Sequence, residues 1–328
     1  MRPLKNTFIN TVLDVTGGTE ITSVELIQTL WSGYGEILRV SVAGGEMPSV
    51  VLKYIALPEQ RIHPRGWATD FSHQRKITSY DVEMHWYRDW SQRCDGFNRV
   101  PKCYATSSDA QDHLIVLEDL DHSGYRLRKD ELSRQQVSVC LRWLAYFHAS
   151  FLGCSPDGLW KTGTYWHLAT RPEELEAMSP SALKNAANVI DERLNDCQFQ
   201  TLVHGDAKVA NFCFTDACDD VAAVDFQYVG GGCGMKDVAY FLGSCLTEHQ
   251  CMAWEESLLE EYFSFLQAAL NKYGKQTDFA SLQTEWTALF PYAWTDFYRF
   301  LAGWMPGHRK INKYTEYMAD KVLLELRA

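Results

Sequence analysis

Three oxygen-bearing side chains stand out by their spacing. In LVHGDAKVANFCF (202–214) an apolar run leads into His204-Gly205-Asp206, and Asn211 follows Asp206 by five residues. A second apolar run, VAAVD (221–225), ends on Asp225, fourteen residues beyond Asn211. A carboxylate at the end of a buried strand is unfavourable unless something uses its charge. Two carboxylates and an amide make a hard oxygen site, the kind magnesium prefers when substrate phosphates complete its shell. On this reading Asn211 and Asp225 hold the metal, and Asp206 orients or deprotonates an attacking hydroxyl. Taken singly, each would be a turn residue, with His204 satisfied by a backbone carbonyl. The joint pattern, H-x-D-x-x-x-x-N and then apolar-x-D-F, is what points to catalysis.

Such groups need elements that end near one another. VELIQTLW (24–31), EILRVSVA (36–43) and VVLKYI (50–55), separated by SGYG and GGEMPS, read as an antiparallel meander. A polar, Pro-containing connection (57–75) precedes SYDVEMHWYRDWSQ (79–92), which has helical composition. LIVLEDL (114–120) reads as a further strand, running into a charged stretch suited to a hinge. From about residue 130 the pattern turns helical. Val137, Leu141, Leu144, His148 and Phe151 recur at three- and four-residue steps and mark one buried face, on which His148 reads as a satisfied core histidine. TLV (201–203) and VAAVD are short strands within this helical region, and helical patterns resume from about 236. The composition shift near residue 120 divides the chain into 1–120 and 121–328.

At 328 residues the chain can form two modest domains. Its net charge of −11 disfavours nucleic acid as a partner, so a phosphate-bearing ligand must be held by a local cluster of cations. The ten cysteines are scattered without a C-x-x-C pair and read as reduced thiols. The first residues lack the apolar run of a signal peptide, and no run of 18 apolar residues occurs. The expectation is a cytoplasmic chain with no membrane or nucleic-acid partner, of unspecified oligomeric state.

The loop and metal segments resemble the kinase superfamily, whose catalytic loop is H-R-D-L-x-x-x-N and whose metal motif is D-F-G. Here they are HGD and DFQ, and no A-P-E follows, departures that point to the small-molecule branch of aminoglycoside, choline and ecdysteroid kinases. SYDVEMHWY (79–87), LIVLEDL (114–120), LAYFHA (144–149), LVHGDAKVAN (202–211) and VDFQYVGGGCGMKDVAYFL (224–242) are most similar to the ecdysteroid-kinase-like family. The resemblance implies an α+β, two-lobed protein-kinase-like fold, with a small antiparallel β-rich N-lobe and a larger, mainly helical C-lobe. It implies ATP bound between the lobes with magnesium, and transfer of the γ-phosphate to the hydroxyl of a small molecule.

By position, Asp206 matches the catalytic aspartate, Asn211 and Asp225 the metal ligands, and Lys208 the lysine near the γ-phosphate. Lys53, on the third strand, matches the lysine that contacts the α- and β-phosphates, and Glu83 matches its helical partner. Val51, Leu52 and Tyr54 around Lys53 seek burial, so its ammonium needs a counter-charge. Gly33 and Gly35, in SGYGE, sit where a phosphate-covering loop would lie. Glu118 and Leu120 fall at the hinge, where backbone groups hold adenine in the family. Asp237 opens a helix, as an N-terminal cap or as a brace for the catalytic loop. The aromatic tail (Trp286, Tyr292, Trp294, Phe297, Tyr298, Phe300, Trp304) reads as core, or as the wall of an apolar acceptor site. Two other activities use parts of the same machinery: a choline- or aminoglycoside-type kinase, and a nucleotide-binding pseudokinase without turnover. A quaternary ammonium acceptor demands an aromatic cage, and a polycation an acidic wall.

Overall fold

The computed structural model describes residues 5–30, 33–56, 70–109 and 112–327. Trp31, Ser32 and most of the 57–75 connection lie outside them. The chain forms two compact units: Met1–Asp95 with Val100–Leu127, and Gly96–Arg99 with Arg128–Ala328.

The first unit is built on one five-stranded antiparallel sheet. It contains α1 (Asn6–Thr16), β1 (Glu20–Thr29), β2 (Gly35–Ala43), β3 (Ser49–Ala56), α2 (Asp70–His85), β4 (Cys103–Asp109) and β5 (Asp112–Glu118). The spatial order is β1-β2-β3-β5-β4. The three-strand meander and the 114–120 strand are all present, while α1 and β4 are additions. β4, CYATSSD, is polar along most of its length and carries little apolar signal. Alternation along β3 explains the layering. Val50, Leu52 and Tyr54 join one core with Phe8 and Val12 of α1. The other face of the strand carries Lys53 and Ile55, and Ile55 packs with Leu30, Tyr34 and Tyr80 of α2.

The second unit is mainly helical: α3 (Arg134–Phe151), α4 (Pro172–Ala177), α5 (Ala182–Asn195), α6 (Met235–Cys245), α7 (Glu248–Lys272), α8 (Phe279–Trp304) and α9 (Lys313–Glu325). Two small antiparallel pairs interrupt the helices. β6 (Thr201–Val203) pairs with β9 (Gly230–Gly232), and β7 (Phe212–Phe214) pairs with β8 (Val221–Ala223). The helix starts follow from sequence: Ser133 with Gln136, and Thr247 with Gln250, form capping boxes at α3 and α7. The triple glycine is β9, and a Cβ at Gly230 would lie 2.2 Å from the Trp160 carbonyl oxygen, so no side chain fits between β9 and the segment at Trp160. Among the described residues no helix is long and apolar enough to cross a membrane.

Candidate active site

Residues 204–211 join β6 to β7, and the buried apolar strands fix both ends of this loop. Gly205 has φ +80°, and a Cβ there would lie 2.1 Å from the Tyr228 carbonyl oxygen. That contact is a physical reason for HGD in place of HRD, because only glycine fits this conformation and this gap. The loop hangs on a wholly buried carboxylate. Asp237 accepts hydrogen bonds from the backbone N–H of His204 at 2.6 Å and of Gly205 at 2.9 Å. His148 Nε2 lies 3.1 Å from the same carboxylate, and its Nδ1 meets the Tyr262 hydroxyl at 2.8 Å. The N-cap of α6 is Gly234, without a side-chain cap, so Asp237 acts as the loop's brace. His204 is held at both nitrogens: Nε2–H donates to the Val224 carbonyl at 3.0 Å, and Nδ1 accepts from the Asp206 N–H at 3.2 Å. Burial pushes its pKa below the ordinary histidine value, against the pull of Asp237, Asp206 and Asp225.

Three donors converge on the nearly buried Asp206. Lys208 Nζ lies 2.7 Å from Oδ2, Asn211 Nδ2 lies 3.2 Å from Oδ2, and the Tyr240 hydroxyl donates to Oδ1 at 3.0 Å. Asn211 Nδ2 also donates to the Asp206 carbonyl at 2.8 Å, which closes the loop on itself. Burial opposes the charge of Lys208, yet Asp206 and Asp225 outweigh it and hold its pKa above the ordinary lysine value. Burial, reinforced by Asp206, pushes the Tyr240 hydroxyl well above the ordinary tyrosine range, so it remains a donor.

Asp225 follows β8, and the backbone ties it to Asn211 through the Val224 N–H, which donates to the Asn211 carbonyl at 3.0 Å. Its φ of +70° is rare for a residue with a side chain, and such strain gathers at functional sites. Gln227 Nε2 donates to Asp225 Oδ1 at 2.8 Å. The Asn211 amide nitrogen is spent on Asp206, so only its side-chain oxygen Oδ1 could serve a cation. No three His, Cys, Asp or Glu side chains converge as an all-protein cage among the described residues. An amide oxygen and one carboxylate fit a magnesium ion that takes its remaining ligands from phosphates and water.

In the first unit Lys53 Nζ lies 2.8 Å from Glu83 Oε1 and 2.6 Å from Oε2, and both residues are buried. Tyr80 sits one turn before Glu83, so the α2 face that packs on β3 also delivers the carboxylate. Gly35 has φ +147° and lies so close to β3 that a Cβ would meet the Tyr54 carbonyl oxygen at 2.0 Å. Gly33 has φ +75° and faces open space. Glu118 is bound by its side chain to the Lys102 N–H at 3.0 Å and the Ser123 hydroxyl at 2.6 Å. Leu120 is buried and accepts from the Tyr125 N–H at 2.8 Å.

A model of the ecdysteroid kinase-like family matches residues 72–154 and 161–275, more than half of the chain. The chain belongs to that family. Among curated protein sequences none matches it. Of the solved structures, a microcompartment-associated aminopropanol kinase is similar with a TM-score of 0.53 and 15% identity, over 98% of each chain. An ethanolamine kinase from Plasmodium vivax gives 0.47 at 11% identity, over 99% of this chain and 90% of that one. An aminoglycoside phosphotransferase from Streptomyces rimosus, solved with ADP and streptomycin, gives 0.46 at 12%, over 88% and 98%. The fold is the two-lobed protein-kinase-like one, with a five-stranded antiparallel sheet in one unit and helices dominating the other.

In this ecdysteroid kinase-like chain, Asp206, Lys208 and Asn211 touch one another, and Asp225 is joined to them through Val224. Lys53 and Glu83 form a pair of their own. Glu118 is engaged by its side chain in holding the β4–β5 end together. Sequence reasoning missed Tyr240 and the contact of Gln227 with Asp225. Tyr240 stands three residues after Asp237 and thus on the same face of α6, a signal that was present in KDVAYFL. Gln227 is the residue that makes the motif DFQ rather than DFG.

Proposed function

We propose that this chain transfers the γ-phosphoryl group of ATP to a hydroxyl of a small molecule, in a magnesium-dependent reaction in the cytosol. The carrying observation is the Asp206 carboxylate, held by Lys208, Asn211 and Tyr240 in a loop braced by Asp237. A carboxylate fixed in this way can orient an acceptor hydroxyl and take its proton as the phosphoryl group leaves. Asn211 and Asp225 are the residues that would hold magnesium, which when bound supplies charge for the phosphates. Lys208 carries a positive charge next to Asp206, suited to the transferring group.

Residues 1–120 are the nucleotide-binding part in this reading, and residues 121–328 carry catalysis and the acceptor. Lys53, oriented by Glu83, neutralises the α- and β-phosphates. Gly33 and Gly35 belong to the loop that covers phosphate, and the backbone at Glu118 and Leu120 receives adenine. The Leu120 N–H donates to no described group, which supports a backbone donor for the base there. Ten free thiols are in keeping with a reducing compartment.

The test is labelled ATP and magnesium with metabolite extract, and identification of the phosphorylated product by mass. Asp206→Asn should lose about 10²- to 10⁴-fold in turnover. Normal turnover by that variant would refute the role of Asp206. ATP binding that stabilises the chain, without product from any alcohol, would identify a pseudokinase.

A further inference from the structure

Tyr240, whose hydroxyl reaches Asp206, stands in a dense and buried aromatic cluster. Tyr240 of α6 contacts Tyr165 at 5.6 Å, Trp166 at 4.6 Å and Phe297 of α8 at 4.9 Å between ring centroids. Trp166 and Phe297 meet at 5.1 Å. By ring chemistry alone this would suit a quaternary ammonium, whose recognition uses aromatic faces. The faces are taken, however. Lys310, in the segment between α8 and α9, places its Nζ 4.9 Å from the centroid of Tyr240 and 5.2 Å from that of Phe297. Tyr240 in turn hydrogen-bonds Asp206 at 3.0 Å.

Lys310 is half-buried, yet among the described residues no carboxylate pairs with it and its Nζ makes no hydrogen bond. Its charge is felt by Asp206, and by Lys208 and Arg309, which repel it. Burial lowers its pKa to about 8. An ammonium with unused donors is costly in such a place unless a ligand meets it. The aromatic faces offset part of that cost.

We infer that Lys310 is a specificity-determining residue on the acceptor side, selecting an uncharged or anionic hydroxyl compound and excluding cationic acceptors such as choline and aminoglycosides. This rests on the kinase reading above. The chain's own ammonium already lies over these rings, coupled to Asp206, and it repels any second cation brought toward that carboxylate. Its N–H donors instead favour an acceptor that carries an oxygen close to the reacting hydroxyl.

The experiment splits a metabolite extract by cation exchange. The full chain, labelled ATP and magnesium are then added to the flow-through and to the bound fraction, each supplemented with a matched probe. Choline goes with the bound fraction, and its neutral carbon isostere 3,3-dimethylbutan-1-ol with the flow-through. Labelled product is expected from the flow-through fraction. Lys310→Met should raise the KM for that acceptor about 10- to 100-fold and leave the KM for ATP within about twofold. Lys310→Glu should move the preference toward the cationic fraction. Product arising mainly from the cationic fraction in the unaltered chain would overturn the inference and leave the kinase reading standing, as would a Lys310→Met variant with an unchanged acceptor KM. No product from either fraction would overturn the kinase reading itself, and this inference with it.

Discussion

Replacing Asp237 by Asn removes one charge and keeps the shape of the side chain, so it isolates what the brace does. The carboxylate is wholly buried and receives three donors: His204 N–H and His148 Nε2 at Oδ2, and Gly205 N–H at Oδ1. An amide has a single acceptor oxygen. If that oxygen takes the Oδ2 position, the NH2 group faces the Gly205 N–H; if it takes Oδ1, the NH2 group faces His204 and His148. The first orientation is cheaper and leaves one buried N–H unpaired. A hydrogen bond to a charged group is worth about 1.5–3 kcal/mol, and an unsatisfied buried donor costs about 1–3 kcal/mol more, so a total loss of about 2.5–6 kcal/mol is expected. For a domain of this size that corresponds to a fall in Tm of roughly 5–24 °C. Turnover should fall about 10²-fold, because the peptide that turns away carries Asp206 one residue later. Scanning fluorimetry gives the first number, and product formation from labelled ATP the second. A variant that melts within about 1 °C of the parent and turns over within twofold would refute the brace.

Other perturbations test other parts. Lys53→Met should remove the cation facing the Glu83 carboxylate, which is 1% exposed, and destabilise the chain by about 3–5 kcal/mol in chemical denaturation; the double replacement with Glu83→Met should recover much of that loss. Both variants should lose the stabilisation that ATP gives. Gly205→Ala meets both the +80° backbone and the Tyr228 carbonyl, so a loss of at least about 1–3 kcal/mol is expected, with turnover falling alongside. Lys310 faces Asp206, Lys208, Arg309 and Cys245, and its pKa is lowered by burial from 10.5 to about 8. Below pH 8 the folded and unfolded chains both carry that proton, and the cost of burying the ammonium is fully present. Between pH 8 and 10.5 the unfolded chain keeps the proton while the folded chain has released it, so the Lys310 contribution to stability rises with pH. The stability difference between Lys310→Met and the parent should therefore narrow over that interval in denaturation at stepped pH. A difference that stays constant from pH 7 to 10.5 would show that the lysine is not titrating there.

Much of this candidate site was legible because its residues stand at the ends of short apolar strands in fixed order. His204, Asp206, Asn211 and Asp225 are local enough in the chain for spacing to mark them, and β3 identified itself by its short apolar run around Lys53, set off by a Gly-rich turn. Glu83 came from resemblance, and its meeting with Lys53 depends on α2 packing its Tyr80 face on β3. The helix holding Glu83 also begins earlier than expected, at Asp70, since its first turns are polar and carry no periodic apolar signal.

Sequence by itself determined where the candidate site lies, because the spacing of His204, Asp206, Asn211 and Asp225 along two strand ends is a property of the chain. It also determined the glycine at 205, whose missing side chain is written there even though the reason is not. Tertiary structure alone decided which partner each group meets. Asp237 could have capped α6, but the fold turns it onto the His204 and Gly205 amides. Tyr240 could have been core, and its hydroxyl instead reaches Asp206. Lys310, more than a hundred residues from Asp206 in sequence, lies one ring away from it in space. Contacts of that kind come from loops and helices far apart in sequence meeting in the fold, and no local pattern records which of them will meet.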